Sequence, residues 1–137
     1  MVRRVHILTA CVALLVTSSQ AGGFLAPGQS PRVVVRWEDF ETTNPVEAYV
    51  ILRSKGDPVV TMADAITTVT RAETFVSTGT VCTFHKWTDT TVTPNAPYYY
   101  RLVCYRAGVY SVVSALSPVR TQGPRPPKPP HNPKAGD

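Results

Sequence analysis

Few residues in this 137-residue chain have the type and spacing to do chemistry, and most of them fall between Cys82 and Asp89. Cys82-Thr-Phe-His85 sets a thiol three residues before an imidazole, as a thiolate nucleophile with its base, or two metal ligands, would require. One Cys and one His are too few for a zinc site without distant help, so His85 reads as a solvated loop histidine. The other histidine beyond the leader, His131, lies in a Pro-rich tail. Asp89 could serve as a catalytic carboxylate, but at the head of a strand it is better placed to bond local backbone. Glu38, Asp39 and Glu41 fall in one polar turn, and no second carboxylate cluster faces them across a foreseeable cleft. A calcium site needs a tighter run of oxygen ligands. No Gly-rich phosphate loop and no Gly-x-Ser-x-Gly elbow occurs. These residues argue against an enzyme and imply no metal and no cofactor.

The elements that must position them are strands. Val33, Val35 and Trp37 alternate with Arg32, Val34 and Arg36, a period-two pattern that predicts a strand with one buried face. Val46 to Arg53 predicts a second, with Tyr49 and Ile51 inward and Val50 and Leu52 on the opposite face. Thr74–Val81 and Trp87–Val92 follow, then Tyr98–Tyr105 after the Pro94-Asn-Ala-Pro97 corner, and Tyr110–Arg120 after the Arg106-Ala-Gly108 turn. Phe24-Leu25-Ala26 adds a short edge strand. Thr61-Met-Ala-Asp64 has the form of a capping box and could open a short helix through Arg71, although the Thr and Val content there equally fits a strand-like loop. The fold class expected is all-β: an antiparallel Ig-like sandwich of about seven strands.

Both ends differ from this middle. Arg3 and Arg4, the apolar run Ile7 to Val16 and Ser19-Gln20-Ala21 form a signal peptide over residues 1–21. The run is shorter than the roughly 20 residues a membrane span needs, so no stable span is expected after cleavage. The domain expected is 22–122, and the tail 123–137 carries six prolines in fifteen residues, a composition that stays extended and disordered. Localisation is then secreted or periplasmic. Between Gly22 and Gln122 nine Lys/Arg offset eight Asp/Glu, which leaves no basic stripe for nucleic acid. Cleavage leaves Cys82 and Cys104. An even count in an exported chain suggests a disulfide, and two separate buried thiols are the alternative.

Taken together these segments resemble a fibronectin type III domain of the kind found in bacterial exported proteins. Trp37 looks like the family's strand-B tryptophan and Val46-Glu-Ala-Tyr-Val-Ile-Leu-Arg-Ser54 like its strand C. Thr88 to Val92 is similar to strand E, Pro94 to Tyr98 to the tyrosine corner, and Ser111 to Thr121 to strand G. The resemblance covers Phe24 to Thr121 and implies structural roles for Trp37, Tyr49, Asp89 and Tyr98. It departs from the family in the long 56–73 segment, in Cys104 where alanine is usual, and in Cys82, which has no common counterpart.

The same alternation assigns an outward face. With Tyr98, Tyr100, Leu102 and Cys104 inward, Tyr99, Arg101, Val103 and Tyr105 face out, beside Val50 and Leu52 of the neighbouring strand that the resemblance implies. Tyrosine, arginine and aliphatic side chains together have the composition of a protein-binding hot spot. The expected function is a non-catalytic binding or adhesion module for a protein or polysaccharide of the envelope or extracellular space. A polysaccharide-binding accessory module and a structural spacer of an envelope assembly are the alternatives.

Overall fold

Period-two alternation builds the centre of the molecule. The computed structural model describes residues 12–18, 23–41 and 45–127. Among the described residues eleven strands run β1 Val12–Ser18, β2 Phe24–Leu25, β3 Val33–Asp39, β4 Ala48–Lys55, β5 Ala65–Thr70, β6 Phe75–Thr78, β7 Thr83–Asp89, β8 Pro97–Arg106, β9 Val109–Tyr110, β10 Ser117–Arg120 and β11 Gly123–Pro124. A single helical turn, α1 Arg71–Thr74, separates β5 from β6. One antiparallel sheet has the order β1-β3-β7-β6, and the other β10-β8-β4-β5 with β9 also on β8. The two face each other as a β-sandwich over a shared core of Val33, Val35 and Trp37 from the first and Tyr49, Ile51, Tyr100 and Leu102 from the second. Trp37 and Tyr49 meet edge to face across the layers, with ring centroids 4.9 Å apart.

The corners follow from local chemistry. The Tyr98 hydroxyl accepts the Thr93 N–H at 2.8 Å, which closes the expected tyrosine corner. Ala107 and Gly108 both have positive φ, the backbone that lets a two-residue turn join right-twisted strands β8 and β9. Thr61 and Asp64 do form a capping box, but it holds only the 3-10 turn Met62–Asp64. Thr- and Val-rich residues 65–70 then pair with β4 as a strand rather than continuing a helix.

One expectation is revised here, and parts of both expected end segments are described. The last strand is interrupted: between β9 and β10, Ser111 and Ser114 lend their hydroxyls to the Cys104 and Leu102 N–H groups at 2.9 and 2.8 Å. Side-chain oxygens thus stand in for ladder carbonyls, and the strand breaks. At the head of the expected tail, Gly123–Pro124 pairs in parallel with Phe24–Leu25 and the Arg125 guanidinium sits 5.6 Å from the centre of the Phe24 ring. A Cβ at 123 would come within 2.1 Å of the Asn95 side-chain amide, which would have to move aside. The tail beyond residue 127 lies outside the described residues. Within the expected leader, Val12–Ser18 is a strand paired along the whole of β3, and Val16 is buried in the core; the rest of residues 1–21 lies outside the described residues.

Candidate functional site

The expected contact face on β4 and β8 is covered. Val50, Leu52 and Val103 point away from the main core as predicted, yet they are buried in a second apolar cluster under Val60, with Val113 and Leu116 packed against it. The segment after β4 and the interrupted stretch after β9 supply that cover, so these three aliphatics present nothing to a partner. Tyr99 leans on the same cluster. Arg101 is held by the Ser114 carbonyl at 2.8 Å. Tyr105 is half-buried, with its ring 5.1 Å from that of exposed Tyr110. The two planes meet at 52°, so they do not offer the single flat platform on which a sugar ring would stack.

His85 also departs from expectation. It is not in a solvated loop but in the middle of β7, on the inward face with Thr83 and Asp89, and only 2% exposed. Its Nδ1 meets Thr74 Oγ1 at 3.0 Å, and its Nε2 meets Thr83 Oγ1 at 2.8 Å and the Tyr49 hydroxyl at 3.2 Å. Tyr49 in turn donates to Asp39, and the Trp37 indole stacks on the imidazole with 5.7 Å between centroids. Asp39 therefore belongs to the core rather than to a turn, and its second oxygen accepts the Glu41 N–H at 2.8 Å. Burial lowers the His85 pKa and outweighs the opposing effect of Asp39, which keeps the imidazole neutral at pH 7. Burial and the Asp39 carboxylate raise the Tyr49 pKa far above the phenol range. His85 is thus a neutral imidazole held by three hydroxyls.

Asp89 closes the opposite end of the same strand pair. It accepts from Tyr100 at 2.6 Å, from Arg53 at 2.7 Å, and from the backbone and hydroxyl of Thr91 at 2.9 and 2.7 Å. Burial would raise its pKa, but these four donors together win, and it is lowered. The expected local backbone bond is present, joined by an ion pair and a phenol that the sequence did not reveal.

One exposed feature among the described residues is a groove of about 240 Å³ on the four-stranded sheet. Leu14, Val76 and Phe84 give it apolar walls, Arg36 and Glu38 a charged rim, and Trp37 and His85 complete the lining. Phe84 falls at an outward position of β7 and lies across Gly79, where a Cβ would come within 2.8 Å of its ring. Phe75 and Val76 of edge strand β6 are half exposed beside it. Sequence reasoning missed this region by starting the strand at Trp87; with the strand begun at Thr83, an aromatic ring on the polar parity is the signal.

Cys82 and Cys104 are two separate buried thiols and do not form the expected bridge. Cys104 faces inward on β8 opposite Tyr49, whereas Cys82 sits at the β6–β7 turn of the other sheet, its carbonyl bound by Gly79. Among the described residues no cluster of His, Cys, Asp or Glu could hold a metal ion, and no helix is long and apolar enough to cross a membrane.

No protein-family model and no curated protein matches the chain. Among solved structures it is similar to Astrotactin-2, a conserved vertebrate-specific, perforin-like membrane protein involved in neuronal development. The match has a TM-score of 0.50 and 17% identity, and it covers 74% of this chain and 21% of that one. At that identity the likeness concerns the fold alone.

Proposed function

We propose that the chain is an exported, non-catalytic binding module of fibronectin type III-like form, and that it engages a protein partner through the groove on its four-stranded sheet. The observation that carries this reading is the groove itself. Phe84 and Val76, 36% and 53% exposed, stand together on a sheet face, flanked by Arg36 and Glu38. An apolar centre with a charged rim is the anatomy of a protein interface, and its aromatic member is the kind of anchor that dominates binding energy. The face first expected to bind lacks this character, because its aliphatics already hold the molecule together.

Co-sedimentation of the purified protein with native envelopes tests the reading. Phe84→Asp combined with Val76→Asp should reduce binding at least tenfold while unfolding stays cooperative, since both side chains are partly exposed and neither belongs to the main core. Full binding by that variant, with loss on Tyr105→Ala instead, would move recognition to the other sheet. Retention on insoluble polysaccharide that the double variant leaves intact would favour the accessory-module reading.

A further inference from the structure

Residues that carry the hallmarks of a removable leader also complete the sandwich. All seven residues of β1 pair with all seven of β3, from Val12 opposite Asp39 to Ser18 opposite Val33. Leu14 lies opposite Trp37 and Val16 opposite Val35, and Val16 is only 6% exposed. β1 also lies against β10 of the other sheet, so it closes the gap between the layers. Cleavage after Ala21 would therefore strip one flank of β3 and open a row of unpaired backbone groups beside Val35 and Trp37. The new N-terminus cannot refill that flank, because Phe24–Leu25 is paired with Gly123–Pro124 and Leu25 is itself buried.

We propose that the flank of β3 is a strand-acceptor site which, after leader removal, takes an extended segment of a partner protein in trans. This rests on the binding-module reading and deepens it, because Leu14 is also one wall of the groove. Removing β1 merges the groove with the vacated flank into one continuous surface. The occupant's chemistry is read from the strand now seated there. It is about seven residues long, antiparallel to β3, with large aliphatic side chains at the two alternate positions that meet Trp37 and Val35. It has no proline at positions whose N–H must join the ladder. Main-chain bonds would supply affinity and the two apolar sites specificity, as in strand addition generally. β7 occupies the other flank of β3, so there is one place for it.

The probe is a fluorescein-labelled peptide of residues 12–18, followed by anisotropy against three proteins: the intact chain, the chain beginning at Gly22, and the intact chain carrying Leu14→Asp and Val16→Asp. The intact chain should bind at least tenfold more weakly than the other two, because its own strand fills the site. The peptide should also raise the melting temperature of the shortened chain, or restore its cooperative unfolding if it is molten alone. A peptide carrying Val16→Asp should do neither. Equal binding to all three proteins, or binding to none, overturns the proposal. So does N-terminal sequencing of the exported protein that finds residues 12–18 still attached. Envelope binding lost on Phe84→Asp while the peptide fails would overturn strand acceptance and leave the groove reading standing. A peptide that binds while envelope capture ignores Phe84 would do the reverse.

Discussion

Two buried aspartate–tyrosine pairs sit at opposite ends of the β3–β7 ladder, about 20 Å apart by strand rise, and they are stabilised differently. At one end Asp89 binds Tyr100 and is compensated by Arg53, which packs its guanidinium over the Tyr98 ring. Four N–H and O–H donors engage that carboxylate. At the other end Asp39 binds Tyr49, but the next partner is a neutral histidine, and the nearby donors Trp37 Nε1 and Arg71 Nε have no hydrogen-bond partner. The Trp37 indole influences the Tyr49 hydroxyl without reaching hydrogen-bond geometry. A buried charge is cheap to keep when a cation and several N–H or O–H groups face it, and costly otherwise. The Asp89 end is thus a closed clamp. The His85 end is a looser network lying directly beneath the exposed groove.

The largest test of that contrast is to delete each carboxylate. Asp89→Ala strands Arg53 and the Tyr100 hydroxyl and should cost about 3 kcal/mol or more in urea unfolding. Asp39→Ala leaves a phenol and one N–H without an acceptor but no cation, and should cost about 2 kcal/mol. Equal losses would mean that Arg53, which is partly solvated, contributes little. Removing single hydroxyls sharpens the comparison at smaller scale. Tyr100→Phe should cost about 1 kcal/mol, because Arg53 and Thr91 still hold Asp89, while Tyr49→Phe should cost about 2 kcal/mol, because it leaves buried Asp39 with the Glu41 N–H alone. A smaller penalty at Tyr49 would show that Asp39 does not depend on its phenol, and the contrast between the two ends would fail.

Most of the sandwich was legible because alternation is a strong signal where one face is buried. Val33, Val35, Trp37, Tyr49, Ile51, Tyr98 and Tyr100 all fall where period two puts them. What alternation cannot report is whether the other face is covered. Val50, Leu52 and Val103 had the right parity to face out, and only the long segment after β4 and the serine-broken strand after β9 made them a second core. The Asp89 bond to Thr91 could be foreseen because it is local in sequence. The links to Arg53 and Tyr100 span 36 and 11 residues and require the two sheets to be brought together. His85 was misplaced for a related reason: a histidine between Phe84 and Lys86, ahead of a strand expected from Trp87, reads as loop until the strand's starting point is known. The cysteines illustrate the reverse. Their even count favoured a bridge, but counting carries no information about which sheet each thiol lies on.

Acidification gives the smallest and most discriminating test, because the two ends titrate in separate windows. His85 has a lowered pKa in the folded state, so below its ordinary value of 6.5 the unfolded chain takes up the proton first. Stability contributed by the neutral imidazole is complete above pH 6.5 and declines as pH falls from there towards the lowered folded value. Asp89 is also lowered from its ordinary 3.8, but as an acid it favours the fold while ionised. Its contribution is intact above about 3.8 and disappears as pH drops through the folded value. Urea midpoints measured from pH 8 to pH 3 should therefore show a gentle decline starting near 6.5 and a steeper one below 4. His85→Gln should flatten the first limb and leave the second, whereas Asp89→Asn should do the opposite. A first limb that survives His85→Gln would place the mildly acidic titration elsewhere, and the looser end would then have no part in the pH response.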